Sequence, residues 1–298
     1  MSPEELEQSK RFRIQQSQAF YNSTDSYRPM MSDTRRNDFY NEILKQVKDK
    51  VVLDIGAGIG ALSLAALNAG ASHVYAVECN PNSVKFLEDL KTGEKLDKLT
   101  IINSTSWDLK LPEKVDFIVH EIFGAFLLDE LCLLTLNEIK HHLKPDGKFL
   151  PEEFGFIFKP HSLETQVESV KNMNKICSFY NKLNKGQVVI EDIITDDITE
   201  NSIEFGPFKF DDYPLTELEK SINTTKEITM DSLWVIPYVK SQSDKLFICR
   251  QAEGHHWGNS FLGFGKYVTL EPKVTINLKF WIDQNLASFN TGLSLGQA

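Results

Sequence analysis

The stretch Val51-Val-Leu-Asp-Ile-Gly-Ala-Gly-Ile-Gly-Ala-Leu-Ser-Leu-Ala-Ala-Leu-Asn-Ala-Gly-Ala-Ser-His-Val-Tyr-Ala-Val-Glu78 decides the fold of this 298-residue chain. The apolar run Val51 to Ile55 predicts a strand, the glycines that follow it predict a turn, and the Ala/Leu-rich run to Asn68 predicts a helix. A second strand is expected at His73 to Val77. Together these elements form one βαβ unit, whose glycine turn and helix N-terminus offer free N–H groups to a ligand.

The chemistry of this turn leaves two cofactors to weigh. Gly56, Gly58 and Ala61 fit the dinucleotide fingerprint, and Glu78 lies twenty residues beyond Gly58, where an acid that holds an NAD ribose belongs. Asp54 favours S-adenosylmethionine, because its charge would repel a pyrophosphate and attract the cationic methionyl end. We therefore predict an S-adenosylmethionine site, with an NAD-dependent dehydrogenase as an alternative. Glycines that only fit a turn are the remaining explanation.

Composition bounds the class of protein. The net charge of −10, with 41% hydrophobic and 25% charged residues, is typical of a globular protein, argues against direct nucleic-acid binding and is compatible with cationic partners. The four cysteines show no paired metal-binding spacing, so no metal is expected and a reducing compartment is favoured. No secretory segment or apolar run suited to a bilayer follows Met1. We expect a cytoplasmic protein that can also be nuclear, with no membrane partner.

The order of the predicted elements gives an α/β chain with a second, β-rich domain. Residues 1–50 carry two helical patterns, 2–20 and one capped by Ser32 or Asp33, and 51–150 alternate strands and helices, which indicates a Rossmann-like parallel sheet. Period-two runs dominate 151–298 and indicate an antiparallel barrel or sandwich, interrupted by a helical insertion at 163–183. This insertion either covers one end of the barrel or packs against another subunit as a homodimer arm. The further elements expected are helices at 81–90 and 125–143, strands at 99–102 and 115–119, a turn at 144–147, and β-runs at 154–158, 188–194, 203–210, 233–239, 246–250, 267–270 and 274–281.

Acidic residues follow the strands of the predicted parallel sheet. Glu78 and Glu121 fall at carboxyl ends, where open α/β sheets bind ligands. Glu130 lies nine residues after Glu121, and Gly124 between them permits a tight return that would let both acids face one pocket. Two convergent carboxylates suit a guanidinium, whose planar fork of N–H donors takes bidentate partners. Glu130 as a solvated helix acid, with Asp129 as the true partner, is the alternative.

Four motifs resemble those of the protein arginine N-methyltransferases, a class I methyltransferase family. Glu121 to Glu130 resembles the family's double-glutamate loop, Leu143 to Pro151 its link into the β-barrel, and Gly254-His-His-Trp-Gly258 its Thr-His-Trp loop. The segment Tyr27-Arg-Pro-Met-Met-Ser-Asp-Thr-Arg-Arg-Asn-Asp-Phe-Tyr40 is similar to the family's N-terminal motif and is closest to the mono-methylating, type III branch. The resemblance spans most of the chain from Tyr27 to Trp257.

This resemblance implies transfer of a methyl group from S-adenosylmethionine to arginine residues of protein or peptide substrates. Catalysis would fall to Glu121 and Glu130, which hold the substrate guanidinium, and to His256, which closes the barrel side of the pocket with Trp257. Trp107 stands where many members have an adenine-side Glu, and His255 departs from the family's usual loop residue. Cofactor contacts are implied for Tyr27, Met31, Arg36 (to the methionyl carboxylate), Asp54, Gly56, Gly58, Glu78 (to the ribose), Ser106 or Asp108, and Trp107, and substrate contacts for Met30 and Trp257.

Two other functions fit the same residues. A double-glutamate pocket could take a small guanidine such as free arginine. The chain could also be a catalytically idle homologue that serves as a binding subunit, although the presence of all the expected site residues argues against this: Asp54, Glu78, Glu121, Glu130 and His256.

Overall fold

The computed structural model describes residues 3–20, 23–128, 130–162, 187–190, 201–249, 256–283 and 289–297. The insertion predicted at 163–183, and with it the expected homodimer arm, lies outside the described residues. Two compact units emerge. The first contains Met1–Phe123, Glu130–Glu153 and Lys240–Leu246, and the second contains Gly124–Asp129, Phe154–Val239 and Phe247–Ala298. The division of the chain at residues 50 and 150 stays a prediction.

Short helices open the first unit. Helix α1 (Pro3–Phe20) is followed by a 3-10 turn (Thr24–Tyr27), α2 (Arg28–Ser32), α3 (Thr34–Ile43) and a second 3-10 turn (Leu44–Val47). Of the two expected caps for α3, the structure selects Asp33, whose side chain accepts a hydrogen bond from the backbone N–H of Arg36. The apolar face of α3 is buried as its periodicity predicts.

A five-stranded parallel sheet forms the core of the first unit. Its strands are β1 (Val51–Ile55), β2 (His73–Glu78), β3 (Leu99–Asn103), β4 (Val115–His120) and β5 (Leu143–Leu150), in the order β3-β2-β1-β4-β5. The helices between them are α4 (Ala61–Asn68), α5 (Pro81–Gly93) and α6 (Cys132–Ile139). Ile55 pairs with Val77 on one side and His120 on the other. Glu78 and Glu121, the next residues of the two neighbouring segments, therefore both lie at the carboxyl-terminal end of the sheet. The strand order reverses beside β1, where open sheets bind ligands.

Two local predictions around α6 and β5 were wrong. The helix expected at 125–143 begins only at Cys132, because Leu127 and Leu131 adopt positive φ angles of 65° and 60° that a right-handed helix does not contain. The turn expected at 144–147 lies inside β5. There, Leu143 pairs with Val115 and Lys148 pairs with Phe117, so the Pro-Asp-Gly residues occupy an irregularity of the strand. Pairing with β4 overrides their turn propensity.

The second unit consists of antiparallel sheets, which confirms the predicted fold class. One sheet has the order β7-β12-β10-β6-β8, with β11 beside β10, and the other has the order β14-β13-β9. In β13 every second side chain is buried, as its period-two pattern predicts. The strands of these sheets, of which β11 lies mostly in the first unit, are β6 (Glu153–His161), β7 (Gln187–Ile190), β8 (Ile203–Lys209), β9 (Leu218–Asn223), β10 (Ile228–Ser241), β11 (Asp244–Phe247), β12 (Asn259–Leu270), β13 (Val274–Ile282) and β14 (Phe289–Gln297).

Strands β9 and β14 were not predicted from the sequence. The outward residues of β9 are polar and β14 contains two glycines, so neither segment carries strong strand propensity. Both form because they pair with β13, one on each side. Among the helices in the described part of the chain, none is long and apolar enough to span a membrane.

Candidate active site

The glycine turn after β1 is built for close backbone approach. Gly56, Gly58 and Gly60 have φ angles of +71°, +55° and +89°, which side chains disfavour. The backbone N–H groups of Gly56 and Ala57 both donate to the carbonyl of Val77, at 3.0 Å each, and so tie the turn to β2. A Cβ at Gly58 would lie 2.8 Å from Cε1 of Tyr27. Glycine is therefore required at position 58 by both backbone conformation and space.

Glu78, the predicted ribose acid, ends β2 beneath this turn. Its Oε2 accepts a hydrogen bond from the Gly58 N–H at 2.8 Å, and its Oε1 accepts from the N–H groups of Cys79 and Asn80 at 2.8 and 2.7 Å. The carboxylate thus fixes the position of the turn. Its oxygens have lone pairs to spare, so ribose hydroxyls can still donate to it.

Tyr27 lies against the same turn. Its hydroxyl is 2.9 Å from the Oγ of Ser83 on α5, and its ring contacts Gly58. Burial raises the pKa of Tyr27 to about 12 and that of the neighbouring Cys79 thiol to about 11. The thiol is therefore protonated at neutral pH, which fits a residue that lines the site and not a nucleophile. The segment before α3 is consequently tied across the glycine turn.

Asp54, the residue that favours S-adenosylmethionine, is buried at the end of β1. The hydroxyl of Ser63 on α4 donates to its Oδ2 at 2.6 Å. Burial raises the pKa of Asp54 to about 7, and the hydrogen bond from Ser63 only partly offsets this effect. An incoming cation would stabilise the ionised form of this desolvated carboxylate.

Arg36 and Glu121 form a buried ion pair. Nε of Arg36 donates to Oε2 of Glu121 at 2.7 Å and Nη2 donates to the same oxygen, while Nη1 donates to Oδ1 of Asn37 at 2.8 Å. The two side chains are only 4% and 7% exposed. Burial lowers the pKa of Arg36, but the charge of Glu121 and its hydrogen bonds to Arg36, together with smaller effects of Tyr40 and Asp54, outweigh burial and the net pKa is raised. The acid predicted to hold a substrate guanidinium therefore already binds one, that of Arg36.

Two contributors to this part of the molecule were missed from the sequence. Tyr40 on α3 was predicted as a core residue and as the end of the N-terminal motif, without a contact in the site, yet its ring lies 5.3 Å from Cζ of Arg36 and its hydroxyl donates to the carbonyl of His120. Its spacing of four residues from Arg36 on one helix is the signal that could have found it. Lys10 on α1 has its Nζ 4.8 Å from the ring of Trp107 and 2.8 Å from Oε1 of Glu138. Nothing in the polar pattern of α1 pointed to this contact.

The remaining predicted residues of the first unit lie in a loop, in α2 and in a turn. Trp107 and Ser106 lie half-buried in the loop after β3, where Asp108 accepts a hydrogen bond from Thr105 at 2.8 Å. Met31 is 52% exposed and Met30 is half-buried. Glu130 is exposed in a turn, whereas Glu121 is largely buried, so the expectation that both face one pocket stays a prediction. Asp129 lies outside the described residues.

His256 and Trp257 belong to the second unit, and the sequence had placed their loop in the β-rich domain. Their ring centroids are 3.7 Å apart and Trp257 is buried. His255 falls outside the described part of the chain. The catalytic role of His256 and the substrate contact of Trp257 stay predictions.

Comparisons with known proteins converge on one family. The profile described as "PRMT5 arginine-N-methyltransferase" matches residues 14–150. "Protein arginine N-methyltransferase 1" of Oryza sativa subsp. indica is 29% identical over 225 residues, which cover 73% of this chain and 56% of the relative. "Histone-arginine methyltransferase CARMER" of Anopheles gambiae is 37% identical over 137 residues, or 44% of this chain and 22% of that protein. The chain thus spans only about half, or less, of the length of these relatives.

Solved structures show the same two-part fold. A Trypanosoma brucei PRMT1 enzyme-prozyme heterotetrameric complex with AdoHcy aligns with a TM-score of 0.77 at 20% identity and covers 93% of this chain and 95% of the solved chain. Protein arginine methyltransferase 10 of Arabidopsis thaliana aligns with a TM-score of 0.75 at 21% identity, with 93% and 94% covered. At these identities the solved structures establish only the fold of the chain, and its chemistry has to be argued from the residues of the site.

Proposed function

We propose that the chain belongs to the protein arginine N-methyltransferase family and that it transfers a methyl group from S-adenosylmethionine to a guanidino nitrogen of arginine in protein substrates. The observation that carries this proposal is the buried Arg36–Glu121 pair. It supports the acid at the end of β4 as a guanidinium acceptor, because Glu121 accepts two N–H donors of one guanidinium.

The residues around β1 fit S-adenosylmethionine. An amino-acid end carries one carboxylate and one ammonium group, and the site offers the buried guanidinium of Arg36 to the first and the buried carboxylate of Asp54 to the second. Glu78 would accept hydrogen bonds from the ribose hydroxyls, and the glycine turn would lie against the nucleoside. When bound, the cofactor supplies an electrophilic methyl group on its sulfonium.

The chain's own residues would act on the substrate guanidinium. A guanidinium is protonated and its nitrogen lone pairs are delocalised, so it is a poor nucleophile. Glu121, and by resemblance Glu130, would hold it and draw positive charge toward the nitrogens that they contact, which leaves the remaining terminal nitrogen better able to attack. Positioning would supply most of the acceleration, on the order of 7 to 11 kcal/mol in well-oriented cases, with help from preorganised charge. A carboxylate oxygen of Glu130 or a ring nitrogen of His256 would accept the departing proton.

The decisive experiment offers one labelled methyl donor to three acceptors. A Gly/Arg-rich peptide, the same peptide with every Arg replaced by Lys, and free arginine are incubated with the protein, and the products are identified by mass spectrometry. We expect methyl groups only on the arginine peptide. Methylation of free arginine alone would replace the protein substrate with a small guanidine. Binding of S-adenosylhomocysteine without transfer to any acceptor would identify an idle subunit.

Three finer features extend the proposal. Resemblance of the segment from Tyr27 to Tyr40 to the type III branch supports addition of a single methyl group, which the same mass spectra would test. The apolar stripe of the insertion supports a homodimer, which light scattering of wild type and a variant lacking 163–183 would test. Cysteines without disulfide spacing support a cytoplasmic or nuclear location, which fractionation would test.

A further inference from the structure

Tyr40 contacts both the guanidinium of Arg36 and the peptide group that leads into Glu121. It is 1% exposed and lies on α3, four residues after Arg36. Its hydroxyl donates a 2.8 Å hydrogen bond to the carbonyl oxygen of His120, and its ring lies 5.3 Å from Cζ of Arg36. The side chain therefore connects α3 to the end of β4.

The hydroxyl group acts on Glu121 through the backbone. His120 is the last residue of β4, and its carbonyl belongs to the planar peptide group that continues into Glu121. A hydrogen bond to that carbonyl fixes the plane and thus the direction in which Glu121 leaves the strand. Burial raises the pKa of Tyr40 well above 10, so the hydroxyl stays protonated and available as a donor.

The ring acts on Arg36. A guanidinium within about 6 Å of an aromatic centroid is attracted to the ring, and the attraction grows when water is excluded. Asp33 holds the backbone N–H of Arg36 at 3.0 Å from its Oδ1, and the ring of Tyr40 supports the other end of the same side chain. Arg36 is therefore restrained at its backbone and at its guanidinium.

We propose that Tyr40 is a positioning residue for methyl transfer, whose hydroxyl orients Glu121 for the substrate guanidinium and whose ring holds Arg36 for the cofactor carboxylate. This assignment rests on the proposed function. The two groups of one side chain serve two ligands, so each can be removed separately. Tyr40→Phe removes only the hydroxyl, and Tyr40→Leu removes the ring as well.

The first experiment needs neither cofactor nor substrate. Hydrogen exchange at Nε of Arg36 is followed by NMR in wild type, Tyr40→Phe and Tyr75→Phe, with Arg36→Lys to assign the signal. Tyr75 is a matched control, because its hydroxyl donates a 3.0 Å hydrogen bond to Glu113 elsewhere in the same unit. We expect exchange to become roughly five- to tenfold faster in Tyr40→Phe, as loss of one hydrogen bond predicts, and to be unchanged in Tyr75→Phe. Equal exchange in all three proteins would overturn the assignment.

The second experiment separates the two roles. In Tyr40→Phe we expect kcat for the arginine peptide to fall about tenfold or more because Glu121 is misplaced, while the Kd of S-adenosylhomocysteine changes less than about twofold because the ring remains. Tyr40→Leu should weaken cofactor binding about tenfold, and restoring the ring as Phe should recover it. Equal losses of kcat in Tyr40→Phe and Tyr75→Phe, or wild-type cofactor binding by a folded Tyr40→Leu, would refute the assignment of Tyr40 as a positioning residue.

Failure of the proposed function is distinguishable from failure of this inference. If wild type transfers no methyl group to any guanidine, the function falls, and the exchange rate at Arg36 still decides whether Tyr40 organises the ion pair. Should Tyr40→Leu not fold, Tyr40→Phe alone carries both readouts.

Discussion

Replacement of Glu121 by Gln tests the site most directly. The variant keeps the shape of the side chain and one acceptor oxygen, but it leaves the guanidinium of Arg36 buried, at 4% side-chain exposure, without its opposing charge. Removing one partner of a buried ion pair lowers the free energy of unfolding by about 3 to 5 kcal/mol. Because Gln keeps one acceptor oxygen, we expect a loss of about 3 kcal/mol. For a domain of this size that lowers Tm by roughly 6 to 12 °C.

The same variant should bind cofactor at least as well as wild type. In wild type the ligand's carboxylate competes with Glu121 for Arg36, whereas in Glu121→Gln it restores the missing charge. We therefore expect S-adenosylhomocysteine to raise Tm more in the variant than in wild type, while methyl transfer falls by about a thousandfold. Thermal unfolding with and without the ligand, and a labelled-methyl assay, measure both. Glu113→Gln, which removes a carboxylate bonded to Tyr75, is the control and should change neither. Wild-type transfer, or weaker ligand binding in Glu121→Gln, would refute the reasoning.

Three further outcomes are expected. Because the pKa of Asp54 is raised to about 7 in the folded protein, the stability that its protonated form contributes is complete below its ordinary pKa of about 4 and is lost as pH rises from there through 7. Ligand-free wild type should thus unfold at a higher temperature at pH 6 than at pH 8. This difference in Tm should be smaller in Asp54→Asn, which keeps Ser63. The affinity for S-adenosylmethionine, measured by calorimetry, should rise between pH 6 and pH 8, because ionised Asp54 attracts the cationic groups of the ligand. Gly58→Ala should cost about 1 to 3 kcal/mol in denaturant unfolding, whereas Gly93→Ala, with open space around its Cβ, should be neutral. Tyr27→Phe, which removes the hydrogen bond to Ser83, should lower the free energy of unfolding by about 1 kcal/mol and weaken the binding of S-adenosylhomocysteine. Wild-type stability and wild-type binding would both count against a role of Tyr27 in holding the glycine turn.

Local patterns were sufficient for the βαβ core. The run from Val51 to Glu78 places β1, α4 and β2 almost to the residue, because strand, turn and helix preferences agree with one another there. The buried face of α3 and the alternation of β13 followed from periodicity in the same way. The acids at 54, 78 and 121 could be assigned to one edge, since the carboxyl ends of parallel strands meet there.

Where local preference and long-range pairing disagree, the sequence misled. Residues 125–131 have helical composition but adopt left-handed conformations at 127 and 131, and residues 144–147 have turn composition but lie within β5. Strands β9 and β14 have weak propensity and exist through their pairing with β13. These outcomes depend on partners far along the chain, and no window of sequence contains them.

The sequence by itself determined the elements, the order of the motifs and the residue types of the site, because these follow from periodicity and from the chemistry of each side chain. Only the tertiary structure decided which charges meet. Arg36 lies 85 positions from Glu121 and Tyr40 lies 80 positions from His120, and both contacts exist because α3 packs at the end of β4. Burial of that junction also sets the strength of the pair and the raised pKa of Asp54, since desolvation is a property of the folded surroundings and not of any residue alone.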